Sequence, residues 1–349
     1  MSVPALRPRV LGAYAPPGAD DSAALLRLAS NEGPAPPAAV VRALSRAVEA
    51  VHRYPRGDEL EERLGERFDL PASRVLVTAG ADDALLRLSL AALGPGTNAV
   101  VAAPTFEMIP RYVRLALGEL REVPWRDGEP WPREAALRVI DERTRLVFVV
   151  SPNNPTGAGA RADDVRAVSQ AAPQAWTVLD AAYGEYTDDD PTAEVLGLPG
   201  VLVLRTFSKA FGLAGLRVGY VLGHEGPLAA LRAAGNPFPV AGPARRAAAY
   251  ALKAGYVERG VRRTRAERAS IGSALRALGA ETTPSEANFA FARFPSAARA
   301  TEVWERLRDR GVLVRRFEDD PRLADALRVT CPTGASDLKR LLRALEATR

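Results

Sequence analysis

Thr206-Phe-Ser-Lys-Ala-Phe-Gly-Leu-Ala-Gly-Leu-Arg-Val-Gly-Tyr220 decides how the rest of the chain is read. An apolar run, Val201-Leu-Val-Leu204, leads into it and predicts a buried strand. Thr206, Ser208 and Lys209 stand at the end of that strand. Gly212, Gly215 and Arg217 follow, before a second apolar run from Val218 to Leu222. The chain contains three lysines, Lys209, Lys253 and Lys339, against 44 arginines. A composition that writes Arg for nearly every cation yet keeps Lys at 209 points to a need for a primary amine. Guanidinium stays protonated, whereas a desolvated lysine can form a Schiff base with a carbonyl. On this stretch alone, an ordinary lysine after a strand stays open.

Working outward, short apolar runs alternate with helical segments. Val75-Leu-Val-Thr78 predicts a strand, and Gly80-Ala-Asp82 opens a helix to about Leu93. Ala99 to Ala102, Leu146 to Val150 and Trp176 to Leu179 predict further strands. Such alternation means an α/β fold, a mostly parallel sheet with helices on both faces. From about residue 240 the pattern changes to a long Arg/Ala-rich helical region ending near Gly279, then an α+β segment. The expected organisation is an extended N-terminal arm over 1–36, a large domain over 37–240 and a small domain over 241–349, with which the arm can pack.

Bulk properties narrow the function. The 349 residues suffice for about two domains. Net charge is +5 and the charges are interspersed, as in Arg262-Arg-Thr-Arg-Ala-Glu-Arg268, a solvated helix face rather than a nucleic-acid patch. One cysteine, Cys331, allows no internal disulfide and fits a reducing, cytoplasmic setting. The first 30 residues hold no continuous apolar run, so no signal peptide is expected, and no run approaches the ~20 apolar residues of a membrane span. Two histidines and one cysteine supply no metal cluster.

In open parallel sheets, ligands sit beyond the carboxyl ends of the strands. The polar residues fall at those ends. Gly80-Ala-Asp82 starts a helix whose free amides suit a phosphate, and Thr206, Ser208 and Arg217 can serve the same phosphate. Asp180 ends an apolar strand, where a carboxylate is costly unless paired; a protonated ring nitrogen would be such a partner. Tyr183 and Asn154 can reach a ring oxygen, and Phe106 can stack on a ring. Read singly, each has an ordinary alternative: a capped turn, a surface ion pair, a core aromatic. Together with Lys209 they specify pyridoxal 5′-phosphate.

The chain resembles the fold-type I pyridoxal-phosphate aminotransferases, most of all the histidinol-phosphate aminotransferase group. The resemblance runs from Tyr14-Ala-Pro-Pro-Gly18 to Arg328-Val-Thr330. Its most specific parts are Ser151-Pro-Asn-Asn-Pro-Thr-Gly157 and Thr206 to Arg217. It implies that Lys209 forms the Schiff base and shuttles the proton, that Asp180 pairs with the pyridine nitrogen, and that Tyr183 and Asn154 bind the ring oxygen. It further implies that Ala81 and Asp82, by their backbone, and Thr206, Ser208 and Arg217 hold the phosphate. Tyr54 would reach the neighbouring subunit's phosphate, which implies a homodimer. Arg328 matches the grip on the substrate carboxylate, and Tyr14 and Arg315 match positions near a distal phosphate. Histidinol phosphate is the leading amino donor and 2-oxoglutarate the acceptor. Departures from the pattern are Ala181, Gly33 and Arg56, where the family usually has Glu, Asn and an acid. A decarboxylase resembling threonine-phosphate decarboxylase, and a specialised aminotransferase or oxidase on an aromatic or basic amino acid, stay open. So does a regulator that keeps the fold without catalysis, although such regulators usually carry a DNA-binding domain for which 349 residues leave no room.

Overall fold

The computed structural model describes residues 25–349 apart from 56 and 254. Among the described residues, twelve strands form two sheets: β1 (Leu26–Leu28), β2 (Val75–Thr78), β3 (Asn98–Ala103), β4 (Glu119–Pro124), β5 (Thr144–Val150), β6 (Trp176–Asp180), β7 (Val201–Thr206), β8 (Gly219–Leu222), β9 (Glu281–Thr282), β10 (Phe289–Arg293), β11 (Val312–Arg316) and β12 (Ala326–Thr330). The larger sheet has the order β2-β8-β7-β6-β5-β3-β4. Its neighbours from β7 to β4 are parallel, while β8 runs antiparallel to both β7 and β2. The expected mostly parallel α/β sheet is therefore present.

The reason lies in the strand sequences. Val147, Val149 and Leu179 pack into one core, while Leu146, Phe148 and Val178 pack into another on the opposite face. Side chains alternate across a strand, so a run that is apolar throughout needs cover on both sides. Helices supply that cover. The strand β4 escapes sequence reading because Glu119-Leu-Arg-Glu-Val-Pro124 is an edge strand, largely exposed, with charges where an inner strand has valines.

The smaller sheet has the order β1-β11-β12-β10-β9. Leu26 to Leu28, expected as part of an extended arm, pairs in parallel with Val312 to Val314. The helical region after 240 is two helices, Gly242–Lys253 and Val257–Arg276, parted around Gly255 at φ 57°. Glycine enters this left-handed region without the Cβ penalty. The first of the two helices buries Ala244, Ala247, Ala248 and Ala251 in the core of the larger sheet, past the division expected at 240. The second carries Ile271 and Leu275 into the core of the smaller sheet.

The carboxyl ends of β2, β5, β6 and β7 share one edge of the larger sheet. The segment from Ala29 to Pro34 leaves β1 and crosses that edge. Gly33 lies so close to the chain at Lys209 that a Cβ there would sit 1.7 Å from the Lys209 carbonyl oxygen. Gly212, at φ 65°, faces the same segment: its Cβ would sit 1.7 Å from the Pro34 carbonyl oxygen.

Candidate active site

A cavity of about 360 Å³ opens at that edge, between the two sheets. Of the fourteen residues singled out from the sequence, it brings together twelve: Ala81, Asp82, Phe106, Asn154, Asp180, Tyr183, Thr206, Ser208, Lys209, Arg217, Arg315 and Arg328. Tyr14 lies outside the described residues. Tyr54 lies elsewhere, stacked on Phe238 with ring centroids 4.7 Å apart.

The loop after β7 is closed at its base by the Phe207 amide, which donates to the Val218 carbonyl at 2.9 Å. This presents Thr206, Ser208 and Lys209 to the cavity. The Lys209 Nζ donates to the Ser30 carbonyl at 3.1 Å and lies 5.6 Å from the centre of the Tyr183 ring. Desolvation, helped by the Arg328 and Arg217 charges, lowers its pKa to about 8. A fraction of this amine is therefore unprotonated near neutral pH, the state needed for a nucleophile or base.

Asp180 ends β6 almost wholly buried, and its Oδ1 accepts from the Ala182 amide at 3.1 Å. Burial pushes its pKa up to about 6, and neighbouring Asp82 adds to the effect. Tyr183 is buried on the cavity wall, its hydroxyl accepting from Asn31 Nδ2 at 2.8 Å; burial raises its pKa. The adjacent asparagines of the 151–157 turn divide the work. Asn153 is buried and donates to the Pro104 carbonyl at 3.0 Å, tying this turn to the one that carries Phe106. Asn154 faces the cavity, where its Oδ1 accepts from Arg328.

At the far end of the cavity, the first amides of the Gly80–Ala92 helix have no intrahelical acceptor. The hydroxyls of Thr206 and Ser208 lie 3.0 Å apart beside them, and Arg217 Nη1 lies 3.4 Å from Ser208 Oγ. Arg217 takes a left-handed conformation at φ 50° and pairs with Asp82 at 3.1 Å. Gly80, at φ 83°, leaves space for it: a Cβ there would lie 2.8 Å from Arg217 Nη2.

Some contributors were not read from the sequence. Asn31, held at φ 54°, links Tyr183 to the smaller sheet through Thr330, whose hydroxyl donates to Asn31 Oδ1 at 3.0 Å. Its signal was present in Ser30-Asn31-Glu32-Gly33-Pro34, a polar turn just before a helix. Arg205, buried on β7, pairs with buried Glu185 at 2.9 Å and so holds the turn that follows Tyr183. Glu107, Phe317 and Leu323 line the cavity from loops whose meeting no local pattern foretells.

A larger cleft, about 960 Å³, lies between the Ala38–Ala47 and Gly242–Lys253 helices. Its wall includes Arg42, Arg46, Tyr54, Arg245 and Arg246, and none of the lysine, carboxylate and phosphate-cup residues.

The smaller cavity suits pyridoxal 5′-phosphate on its own chemistry. A buried carboxylate without a bonded cation fits a protonated pyridine nitrogen. A helix start, two hydroxyls and a guanidinium fit the phosphate, and a depressed-pKa lysine between them fits the aldehyde carbon.

Comparison with known proteins agrees. The family model for aminotransferase class I and II matches residues 23–345. A histidinol-phosphate aminotransferase of Symbiobacterium thermophilum is 38% identical, over 93% of this chain and 90% of its own length. An aromatic amino acid aminotransferase of Streptomyces coelicolor is 36% identical, over 86% of each. Among solved structures, histidinol-phosphate aminotransferase from Sinorhizobium meliloti in complex with pyridoxal-5′-phosphate superposes with a TM-score of 0.85 at 27% identity, covering 92% of this chain and 90% of that one. With the lysine, the buried carboxylate and the phosphate cup in one cavity, and a match over nearly its whole length, the chain belongs to the class I and II aminotransferases.

Proposed function

We propose that this pyridoxal-phosphate-dependent aminotransferase takes its amino group from histidinol phosphate and passes it to a 2-oxo acid such as 2-oxoglutarate. One observation carries the choice of donor. Arg315 and Arg328 are register partners on the adjacent strands β11 and β12, and both line the cavity. Two neighbouring guanidiniums offer the charge and the bidentate geometry that a phosphate dianion asks for.

When bound, the cofactor would supply an electron sink; the chain's residues would do the rest. Ala81, Asp82, Thr206, Ser208 and Arg217 would hold its phosphate. Asp180 would keep its ring nitrogen protonated, and Asn154 and Tyr183 would bind its ring oxygen, with Asn31 fixing the Tyr183 hydroxyl. Phe106 would stack on the ring. Lys209 would hold the cofactor through its amine and move the proton at the donor's Cα. Arg328 grips the carboxylate of the 2-oxo acid.

We further propose a homodimer. Val41, Val48, Val51, Tyr54 and Phe238 are exposed, Tyr54 on the wall of the larger cleft and stacked on Phe238, and a second copy would cover these side chains. Tyr54 would then serve the neighbour's phosphate. A cytoplasmic setting suits the free, buried thiol of Cys331. No helix among the described residues is long and apolar enough to cross a membrane.

A panel of amino donors with 2-oxoglutarate tests the reading: histidinol phosphate, phenylalanine, tyrosine and lysine, with carbon dioxide release followed in parallel. The expected result is the highest kcat/KM for histidinol phosphate and no carbon dioxide. Preference for phenylalanine or tyrosine would assign the aromatic reading, which the Streptomyces coelicolor relative supports. Lys209→Ala is expected to lose both turnover and the visible absorbance band of lysine-bound cofactor.

A further inference from the structure

Arg315 does not face the cavity alone. Its Nη2 lies 2.9 Å from Glu107 Oε2, and its guanidinium carbon lies 5.4 Å from the centre of the Phe317 ring. Glu107 occupies the N-cap position of the Met108–Leu115 helix, where a carboxylate commonly accepts from the first helical amides. Here it makes no such bond. Its side chain instead reaches across 208 residues of sequence to the opposite wall of the cavity.

The electrostatic setting explains the contact. Arg315 stands directly across from Arg328, and like charges directly opposite on paired strands repel. The Arg328 guanidinium is held by two neutral acceptors, Asn154 Oδ1 and the Ala29 carbonyl. On the Arg315 side of the cavity, the Asp320 carboxylate is turned to Arg322 at 2.8 Å. Glu107 is thus the carboxylate that bonds the Arg315 side of the pair. The Glu107 side chain is 45% exposed against 15% for Arg315, so water and salt weaken the pair.

Resting on the aminotransferase reading, we propose that Glu107 determines specificity by acting as a displaceable counter-ion on Arg315. A donor with a phosphate tail needs both guanidiniums and must expel the Glu107 carboxylate. A donor with a single α-carboxylate binds Arg328 and leaves the Glu107–Arg315 pair intact. Glu107 therefore taxes dianionic tails selectively and sets the balance between phosphorylated donors and ordinary amino acids. It does so through Arg315, without touching the reacting carbon.

The test uses the cofactor-loaded holoenzyme, in which the phosphate cup is filled, and the variant Glu107→Gln. Inorganic phosphate is titrated calorimetrically into both proteins, and KM is measured for phenylalanine and for histidinol phosphate. The expected result is phosphate binding tightened roughly fivefold, the loss of one exposed ion pair, and a similar drop in KM for histidinol phosphate. KM for phenylalanine stays unchanged. A merely structural role for Glu107 would shift all three together, and that result overturns the proposal, as does unchanged phosphate affinity. If wild type transaminates phenylalanine but not histidinol phosphate, the donor assignment fails while the phosphate titration still decides the role of Glu107. If neither protein shows the absorbance of lysine-bound cofactor, the failure lies in the aminotransferase reading instead.

Discussion

Asp180 is kept at a cost that the fold alone does not justify. Its carboxyl is pushed up to about 6 from 3.8 by burial. A raised acid pKa means that the protonated form is the one the fold prefers. The associated stability is fully present below pH 3.8 and is lost as pH rises through 6. Above that, cofactor-free protein holds a buried charge. Asp180→Asn is therefore expected to raise the thermal midpoint of the cofactor-free protein at about pH 7, by up to about 3 kcal/mol of stability, with the gain shrinking toward about pH 5. The same variant is expected to lose transamination once cofactor is added. Calorimetry of the two cofactor-free proteins across that range checks the first half; an unchanged or lowered midpoint at neutral pH contradicts it. Both Asp180 and Lys209 were legible in sequence because each broke a local rule: a carboxylate ending an apolar strand, and a lysine in an arginine-rich chain. Glu107 and Asn31 broke none, since a Glu before a helix and an Asn in a turn are commonplace. Their roles exist only through partners 208 and 152 residues away.

Among the elements, those with unbroken apolar strands were readable and those exposed to solvent were not. Strands β5, β6 and β7 announced themselves, whereas β4 at the edge and the break at Gly255 did not. The break falls in a run of helix-forming residues where one glycine decides the geometry. The Ala29–Pro34 segment carries one of the departures named above, Gly33, and the structure supplies a reason for glycine: no Cβ fits against the Lys209 carbonyl. Gly33→Ala forces backbone away from backbone, and overpacking of this kind costs about 1–3 kcal/mol. A lowered thermal midpoint together with weaker cofactor retention on dialysis is expected. Lost stability with undiminished retention would show that the segment does not position the lysine. The Ala181 departure is buried in the core of the larger sheet and does not line the cavity.

At the scale of the whole molecule, the exposed valines call for a partner surface. Val48 is 50% and Val51 64% exposed, next to Tyr54 at 73%. A Val48→Asp, Val51→Asp double variant places two charges on that face. It is expected to convert the proposed dimer to monomer in light scattering, with the fold retained by circular dichroism and activity lost. A wild type that is monomeric at micromolar concentration would contradict the dimer. The change of pattern near residue 240 was legible in the sequence, but the packing of the two sheets was not. It depends on which alanines of the Gly242–Lys253 helix meet the larger sheet, and a helix rich in alanine on several sides carries little directional signal.

The contact between Gly33 and Lys209 has a mechanical meaning. β1 is hydrogen-bonded into the smaller sheet, while Lys209 grows from the larger one, and the strap between them touches the lysine backbone and accepts from its amine at Ser30. The two sheets are thereby geared together at the reactive amine. A rotation of one sheet against the other would therefore stretch the Lys209–Ser30 hydrogen bond.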